Sequence, residues 1–476
     1  MRWVVAVAVA VAAAGRVEEA KARVAAGVEK LPPDFRHQQC KDEESTRDQS
    51  KLPHAAIIIP YLNERWDHIF MTVRSLVANT NMNLIDDVIF VDDANKPDMV
   101  FREELEIMHP KIKVISNRER AGIVGARLAG VGAMAESTPI ILFAEPHCLF
   151  AAGWYPPLAA AVAEDETTVA HPLVDVISDP QFHGYRKLDH QIGGFDYALT
   201  YLIREPAQAR NASWKEPDPY PTPAMAGGIF AMSKAYFTRM GTYDEAQLQW
   251  GAENIEMSLR IWRCGGRIIL YPCSRIGHWY RGGEDQPYKV DLKQVLINKK
   301  RTALVWLDDH IHKFYRVYLD DKSWPRSIDP RDTEVGDVQG RVQVRNQLDC
   351  KDMDWYADNV YPELKKQPIQ LPMYYSSRTK NQKDPEQILM ELKPKDLQQL
   401  TELLGRPCAS CATPADAAAA LGAHYEEADG ETSDPIRVWP RTVRGWFQAV
   451  GAPCEGCSKW VPAVGAVKRF KQRTEL

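Results

Sequence analysis

The most regular feature of the chain is a series of short apolar runs between residues 54 and 150. Ala55 to Pro60, Asp87 to Val91, Lys111 to Ile115 and Pro139 to Phe143 are each rich in branched side chains. Runs of about five such residues bounded by polar ones read as buried strands. Ile69 to Val77, and the Gly/Ala-rich stretch from Ile123 to Ala135, read as helices between them. Strands alternating with helices predict an α/β fold with a mostly parallel central sheet. In such sheets ligands bind beyond the carboxyl ends of the strands. Two of the runs lead there into polar residues, Asp92-Asp93 and Glu145-Pro146-His147, which points to a nucleotide-type site.

The pattern changes on either side. Residues 16–53 are mostly charged, contain a Pro-Pro pair and Cys40, and read as a stem. From about 151 to 362 the chain is irregular and rich in Trp, Tyr, Pro and Gly, with helices expected near 253–263 and 298–313. This stretch reads as an acceptor-side half built onto the sheet, so that 54–362 form one catalytic domain. Residues 363–388 are polar and read as a linker. Beyond them Gly405-Arg406-Pro407-Cys408-Ala409-Ser410-Cys411 recurs 46 residues on as Gly451-Ala452-Pro453-Cys454-Glu455-Gly456-Cys457. An amphipathic helical stretch precedes each copy, so 389–476 read as two small helical Cys-x-x-Cys repeats.

At the start, Arg2 precedes an apolar run from Trp3 to Ala14. It is short of the roughly 20 residues a membrane span needs, so 1–15 read as a signal peptide or a short anchor. Either sends the chain into the secretory pathway, where disulfides are permitted. Asn211-Ala212-Ser213 is then a candidate glycosylation acceptor.

Composition adds bounds. The chain has 476 residues, 45% hydrophobic and 26% charged, which is ordinary globular usage for two or three domains. Lys and Arg number 59 against 64 Asp and Glu, a net charge of −5 that argues against a chain-wide nucleic-acid surface. Nine cysteines cannot all pair with one another, so at least one thiol is free or pairs with another chain.

Asp92-Asp93 fits either a ligand site or a loop cap. Glu145 and His147, two apart on backbone leaving a strand, can address one divalent ion, and oxygen with nitrogen suits Mn²⁺ or a similar first-row metal. Pro146 holds Glu145 extended. The alternative is a buried histidine beside a surface carboxylate.

These residues stand among blocks that, in one order from about Leu31 to Pro362, resemble the polypeptide N-acetylgalactosaminyltransferases, retaining enzymes that start mucin-type O-glycosylation. The blocks include Ile57-Ile58-Ile59 with Asn63-Glu64, Val91-Asp92-Asp93-Ala94, and Gly122-Ile123-Val124-Gly125-Ala126-Arg127-Leu128. They continue through Gly153-Trp154, Asp175 to Asp179, Gly193-Gly194-Phe195 and Met225-Ala226-Gly227-Gly228-Ile229-Phe230. Trp250-Gly251-Ala252-Glu253-Asn254-Ile255-Glu256 is the most recognisable, followed by Arg260-Ile261-Trp262, Cys264-Gly265-Gly266 and Ile276-Gly277-His278 with Arg281.

The resemblance implies a GT-A fold that holds Mn²⁺ on a UDP-sugar through Glu145, His147 and His278. It places Asp92, Asp93 and Arg127 near the nucleotide, and Arg281 and Tyr288 on the diphosphate. Gly227 and Gly228 would allow close approach of the sugar. Trp250, Glu253 and Asn254 would line the sugar and acceptor side. Because retention in the family is ascribed to attack on the face that UDP leaves, Glu253 is expected to orient substrate rather than form a covalent bond. The implied reaction is transfer of GalNAc from UDP-GalNAc to Ser or Thr hydroxyls of protein acceptors. The implied location is the Golgi lumen or secretory pathway, with type II membrane anchoring as an N-terminal alternative. A different UDP-sugar or acceptor, or nucleotide-sugar binding without turnover, are the competing readings.

Four positions depart from the family pattern: Glu145 for Asp, Gly125 for Arg, Ala252 for Gly and Leu62 for His. Nothing after 363 shows the aromatic pattern of the ricin-type lectin domain that most relatives carry. The two Cys-x-x-Cys units instead resemble the small helical C-terminal domain of the mesencephalic-astrocyte-derived neurotrophic factor family. Local disulfides, redox-active dithiols and a four-thiolate zinc site all fit their spacing. Position in the transferase family implies that Cys40 pairs with Cys273 and Cys264 with Cys350. With Cys408, Cys411, Cys454 and Cys457 in local pairs, Cys148 is left as a reduced thiol beside the metal motif.

Overall fold

Every residue from Ala55 to Tyr61 is buried, as befits a strand with neighbours on both edges and cover on both faces. Its side chains alternate accordingly. Ile57, Ile59 and Tyr61 join Ile69, Val73 and Leu76 of the helix Trp66–Asn79 in one core, while Ala56 and Ile58 join Val124 and Ala126 of the helix Gly122–Ala133 in the other. The second helix lies so close to the sheet that a Cβ on Gly130 would stand 2.3 Å from Cγ2 of Ile58.

The computed structural model describes residues 15–27, 31–179, 181–188, 191–204, 216–281, 287–320, 325 and 328–366. The expected leader, the Asn211-Ala212-Ser213 triplet, most of the linker and both Cys-x-x-Cys repeats lie outside them. The chain divides into two units. The first comprises Met1–Tyr315 and Ile328–Lys365 and carries everything discussed below; the second, Arg316–Ser327 and Lys366–Leu476, falls mostly outside the described residues.

The strands are β1 (Ala55–Tyr61), β2 (Ile85–Asp92), β3 (Ile112–Ser116), β4 (Ile140–Phe143), β5 (Cys148–Phe150) and β6 (Thr168–Ile177). They continue with β7 (Tyr185–Arg186), β8 (Ile192–Phe195), β9 (Tyr201–Arg204), β10 (Tyr220–Pro221), β11 (Phe230–Ser233) and β12 (Arg267–Trp279). The main sheet runs β10-β12-β6-β11-β4-β1-β2-β3, and β8-β9 form a separate hairpin. Parallel pairing joins β3, β2, β1 and β4, as the alternating strand and helix pattern requires. β11 then enters antiparallel between β4 and β6, so the complete sheet is mixed. β12 is parallel to β6 and also pairs antiparallel with β5, which sets His278 opposite Cys148.

The helix expected at 253–263 is Glu253–Arg263. The one expected at 298–313 instead spans Leu292–Trp306, starting at an Asp291 cap and ending before Asp308, whose φ of 50° breaks the helical path before a new helix begins at Ile311.

The charged stretch 16–53 includes helices at 15–26 and Gln38–Thr46. It is held by Arg16 on Glu104 at 2.7 Å and Arg23 on Asp67 at 2.9 Å. Cys40 is bonded to Cys273 and Cys264 to Cys350, and Cys148 is a free, buried thiol, each as family position implied. Among the described residues no helix is long and apolar enough to cross a membrane.

Candidate active site

Because β1, β2 and β4 are parallel, their carboxyl ends open on one side, and the loops that follow them build the site. After β1 the chain turns through Asn63 in the left-handed region, φ 49°, which asparagine tolerates better than most residues. The turn delivers Glu64, only 2% exposed. Its carboxylate accepts from Nδ1 of His68 at 2.8 Å and from Nδ1 of His147 at 3.0 Å, and its Oε2 lies 2.9 Å from the guanidinium of Arg281. Burial alone would raise the Glu64 pKa; the two histidine hydrogen bonds and the Arg281 charge outweigh it and hold the group ionised.

After β2 the acidic pair divides its tasks. Asp92 accepts from the backbone and side chain of Asn95, at 2.8 and 2.6 Å, and serves as a turn cap. Asp93 lines the cavity and accepts from the backbone N–H of Ala121 and Gly122 at 2.8 and 2.9 Å, and from Asn117 at 2.9 Å. It therefore fastens the start of the helix Gly122–Ala133 to the wall of the site.

Glu145 and His147 follow β4, and β12 brings up His278. One donor atom from each lies within 4.8 Å of the others. Oε2 of Glu145 is 3.4 Å from Nε2 of His147 and in direct contact with Nε2 of His278. The extra methylene of Glu145 thus still carries the carboxylate to both rings. Since Glu64 occupies Nδ1 of His147, Nε2 is the nitrogen left to face Glu145, the arrangement in which an outer carboxylate orients a metal-bound imidazole. One carboxylate and two imidazoles match the preferences of a first-row divalent ion.

Charge is balanced around this cluster. Burial opposes ionisation of Glu145, but His278 and His147 hold its pKa well below the usual carboxylate range. Burial and Arg281 work against a proton on His147, and its bonds to Glu145 and Glu64 more than compensate, so its pKa is raised; for His278 burial wins and the pKa falls. Burial raises the Cys148 thiol well above its ordinary value, which keeps it protonated and unreactive.

A cavity of about 770 Å³ collects most of the expected residues. Asp93, Arg127, Glu145, His147, Gly227, Gly228, Trp250, Glu253, Arg281 and Tyr288 all line it. His278 is not among the lining residues and meets the cavity through its contact with Glu145. Asn254 is turned away to donate to the Met225 carbonyl at 3.1 Å.

Gly228 is required by proximity, since a Cβ there would lie 2.9 Å from Cδ of Glu145. Gly227 adopts φ +85°, and a Cβ on it would strike Asn254 at 2.4 Å. Arg127 is buried beneath the cavity, donating to the Tyr243 hydroxyl at 3.1 Å and lying over Phe143. Glu253 accepts from the Gly251 N–H at 2.8 Å, and burial raises its pKa. Tyr288 faces Arg120 in a cation–π contact, 5.0 Å from guanidinium to ring centroid.

Sequence reasoning assigned no role to Glu64, Arg120 or Gln249. Glu64 had a signal: a carboxylate just past a strand end, one helical turn before His68. Gln249 had none, because it acts through its carbonyl, which accepts from Ile123 N at 2.8 Å, and through its φ of 58°.

Comparison with known proteins agrees with this architecture. Residues 56–237 match the family model described as glycosyl transferase family 2, and residues 208–284 match the N-terminal domain of galactosyltransferase. The chain is 34% identical over 342 residues to a putative polypeptide N-acetylgalactosaminyltransferase 9 of Drosophila melanogaster, covering 71% of this chain and 50% of that protein. It is 35% identical to polypeptide N-acetylgalactosaminyltransferase 6 of Bos taurus, with 70% and 54% covered. It is 34% identical to polypeptide N-acetylgalactosaminyltransferase 13 of Homo sapiens, with 72% and 60% covered. The chain thus spans roughly half the length of the curated relatives it matches. The crystal structure of GalNAc-T7 with UDP, GalNAc and Mn²⁺ superimposes with a TM-score of 0.61 at 27% identity, covering 70% of this chain and 61% of that one.

Proposed function

We propose that the chain, which over the matched part of its length is similar to the polypeptide N-acetylgalactosaminyltransferases and has a GT-A-like fold, is a member of that family and transfers GalNAc from UDP-GalNAc to Ser or Thr hydroxyls of protein acceptors. The observation that carries the reading is the convergence of Glu145, His147 and His278 beside a cavity at the strand ends, backed by Glu64. These three residues would hold Mn²⁺, which when bound neutralises a diphosphate and makes it a better leaving group.

The chain's own groups supply the rest. Arg281, now 2.9 Å from Glu64, is placed to share the charge that develops on the departing diphosphate. Gly227 and Gly228 leave room for the sugar ring against Glu145. Glu253, fixed by the Gly251 amide and surrounded by low-dielectric packing, orients a sugar or acceptor hydroxyl. Asp93 and Arg127 hold the nucleotide end of the wall. Trp250 and Tyr280, 36% and 45% exposed, offer aromatic surface to an acceptor chain beside the cleft. The two disulfides suit an oxidising compartment, in keeping with a secretory-pathway location.

A panel of UDP-sugars with Ser/Thr peptides, with and without Mn²⁺, tests the assignment, repeated with Glu145→Asp. Mn²⁺-dependent transfer from UDP-GalNAc is expected. Because the glutamate already reaches both imidazoles, Glu145→Asp is expected to lose about tenfold in activity. UDP binding with no turnover from any donor would overturn the enzyme reading in favour of a binding protein.

A further inference from the structure

Three of the four residues from Gln249 to Ala252 have positive φ: 58° at Gln249, 109° at Gly251 and 73° at Ala252. For Gln249 and Ala252 this is the left-handed region, which a Cβ disfavours. The segment carries Trp250 and leads straight into Glu253, the first residue of the helix Glu253–Arg263, and both residues line the cavity. The Glu253 carboxylate also takes the Gly251 N–H at 2.8 Å, so its place depends on the path of this loop. Backbone of this kind persists only where its surroundings over-determine it.

Two supports do so. The Ile123 N–H donates to the Gln249 carbonyl at 2.8 Å, and Gly122 packs so closely that a Cβ there would stand 2.5 Å from the Gln249 nitrogen. The second support comes from the helix Leu292–Trp306. Cγ1 of its Val295 lies 3.3 Å from where a Gly251 Cβ would be. Asn298, only 1% exposed, donates from Nδ2 to the Leu248 carbonyl at 2.8 Å and to the Trp250 carbonyl at 3.3 Å, so one amide brackets Gln249. Its Oδ1 accepts from Nε2 of Gln294 at 2.9 Å, which keeps the donor end of the amide on the two carbonyls. Asn298 is not among the residues that line the cavity.

We propose that Asn298 is a positioning residue of the site: by holding the carbonyls before and after Gln249 it keeps 249–252 on their left-handed path, and so sets Trp250 and Glu253 against the substrates. The inference rests on reading the cavity as a transferase site. Without that amide, Gln249 and Ala252 return to the backbone regions their side chains favour, and Glu253 moves with them. A misplacement of about 1 Å at a group that orients a reactant costs up to about 100-fold in rate.

Asn298→Leu, close to native in volume, removes both donors. It is compared with the native chain in kcat and KM for transfer to a Ser/Thr peptide, in UDP affinity by calorimetry, and in amide exchange by mass spectrometry. We expect kcat to fall about 10- to 100-fold while UDP affinity stays within about threefold, because Asp93, His147 and Arg281 lie on other segments. Exchange across 248–253 should quicken about tenfold with β1 and β4 unchanged. Adding Ala252→Gly, which removes one Cβ from the left-handed region, should recover part of kcat. A merely structural asparagine would instead reduce the UDP-binding fraction and kcat together. That result, a kcat within about twofold of native, unchanged exchange at 248–253, or a double variant no better than the single one overturns the proposal. If Asn298→Leu fails to fold, Gln294→Leu decides, since it removes only the bond that orients the amide. A loss of about threefold in kcat, relieved by Ala252→Gly, is expected, and native kcat with native exchange overturns the proposal. A native chain that transfers no sugar from any donor sinks the proposed activity, and a local rise of exchange in Asn298→Leu would then leave its hold on the loop standing.

Discussion

Glu64 accepts a hydrogen bond from Nδ1 of His147 at 3.0 Å, and that bond decides which nitrogen of His147 faces Glu145. The carboxylate also meets His68 and Arg281, so one buried anion orients the His147 ring, neutralises a guanidinium and ties the loop after β1 to the loop after β4. Glu64→Gln keeps the shape and removes the charge. The variant is expected to bind Mn²⁺ about 10- to 100-fold more weakly, the usual cost of losing an outer-shell partner. Titration with Mn²⁺ followed by the electron paramagnetic resonance of the free ion measures it. A change below about threefold would remove Glu64 from the metal site.

Much of this was legible in the sequence because burial writes itself into composition. β1, β2, β3 and β4 are short apolar runs whose neighbours on both faces leave no room for polar side chains, and their parallel order follows from the helices between them. Glu145, His147 and His278 were legible only jointly, since 131 residues separate the last two and strand register alone brings them together. Asp92 and Asp93 look alike as letters, and only the backbone shows that one caps a turn while the other secures a helix on the cavity wall. The end of the helix Leu292–Trp306 was misplaced because it depends on the φ of Asp308, which no periodicity encodes. His171 gave no signal either: it falls in the stretch from about 151 to 362 that reads as irregular, where no strand is expected.

Gly228 can be tested against a second glycine. A Cβ at Gly228 would stand 2.9 Å from Cδ of Glu145 and 3.1 Å from both its oxygens, so Gly228→Ala must push the carboxylate off its present position. Gly132 lies in the helix Gly122–Ala133 with nothing within 4 Å of where its Cβ would be. Gly228→Ala is therefore expected to weaken Mn²⁺ binding about tenfold. Gly132→Ala should leave binding unchanged and raise stability by roughly 0.5–1 kcal/mol through reduced freedom of the unfolded chain. Metal titration and urea unfolding on both variants check the contrast. Equal metal affinity in the native chain and Gly228→Ala would show that Glu145 has room to retreat without cost.

The buried imidazole of His171 makes stability depend on pH with a definite sign. Burial lowers its pKa from an ordinary 6.5 to about 4 in the folded chain. Between those values the unfolded chain holds a proton on this ring and the folded chain does not, so acidification favours unfolding. The contribution is complete above about pH 6.5, declines as pH falls and levels off below about pH 4. At about 1.4 kcal/mol for each pKa unit, the loss by pH 4 amounts to about 3 kcal/mol. Depressed carboxylates such as Glu64 add to the slope only as the solution approaches the carboxylate range, near pH 4 and below. Between pH 7 and pH 5 the imidazole is the group to isolate. His171→Gln does not titrate, so its urea midpoint should fall less across that interval than that of the native chain, by about 2 kcal/mol once multiplied by the common m-value. Parallel pH profiles for the two proteins would mean that the folded chain protonates His171 readily.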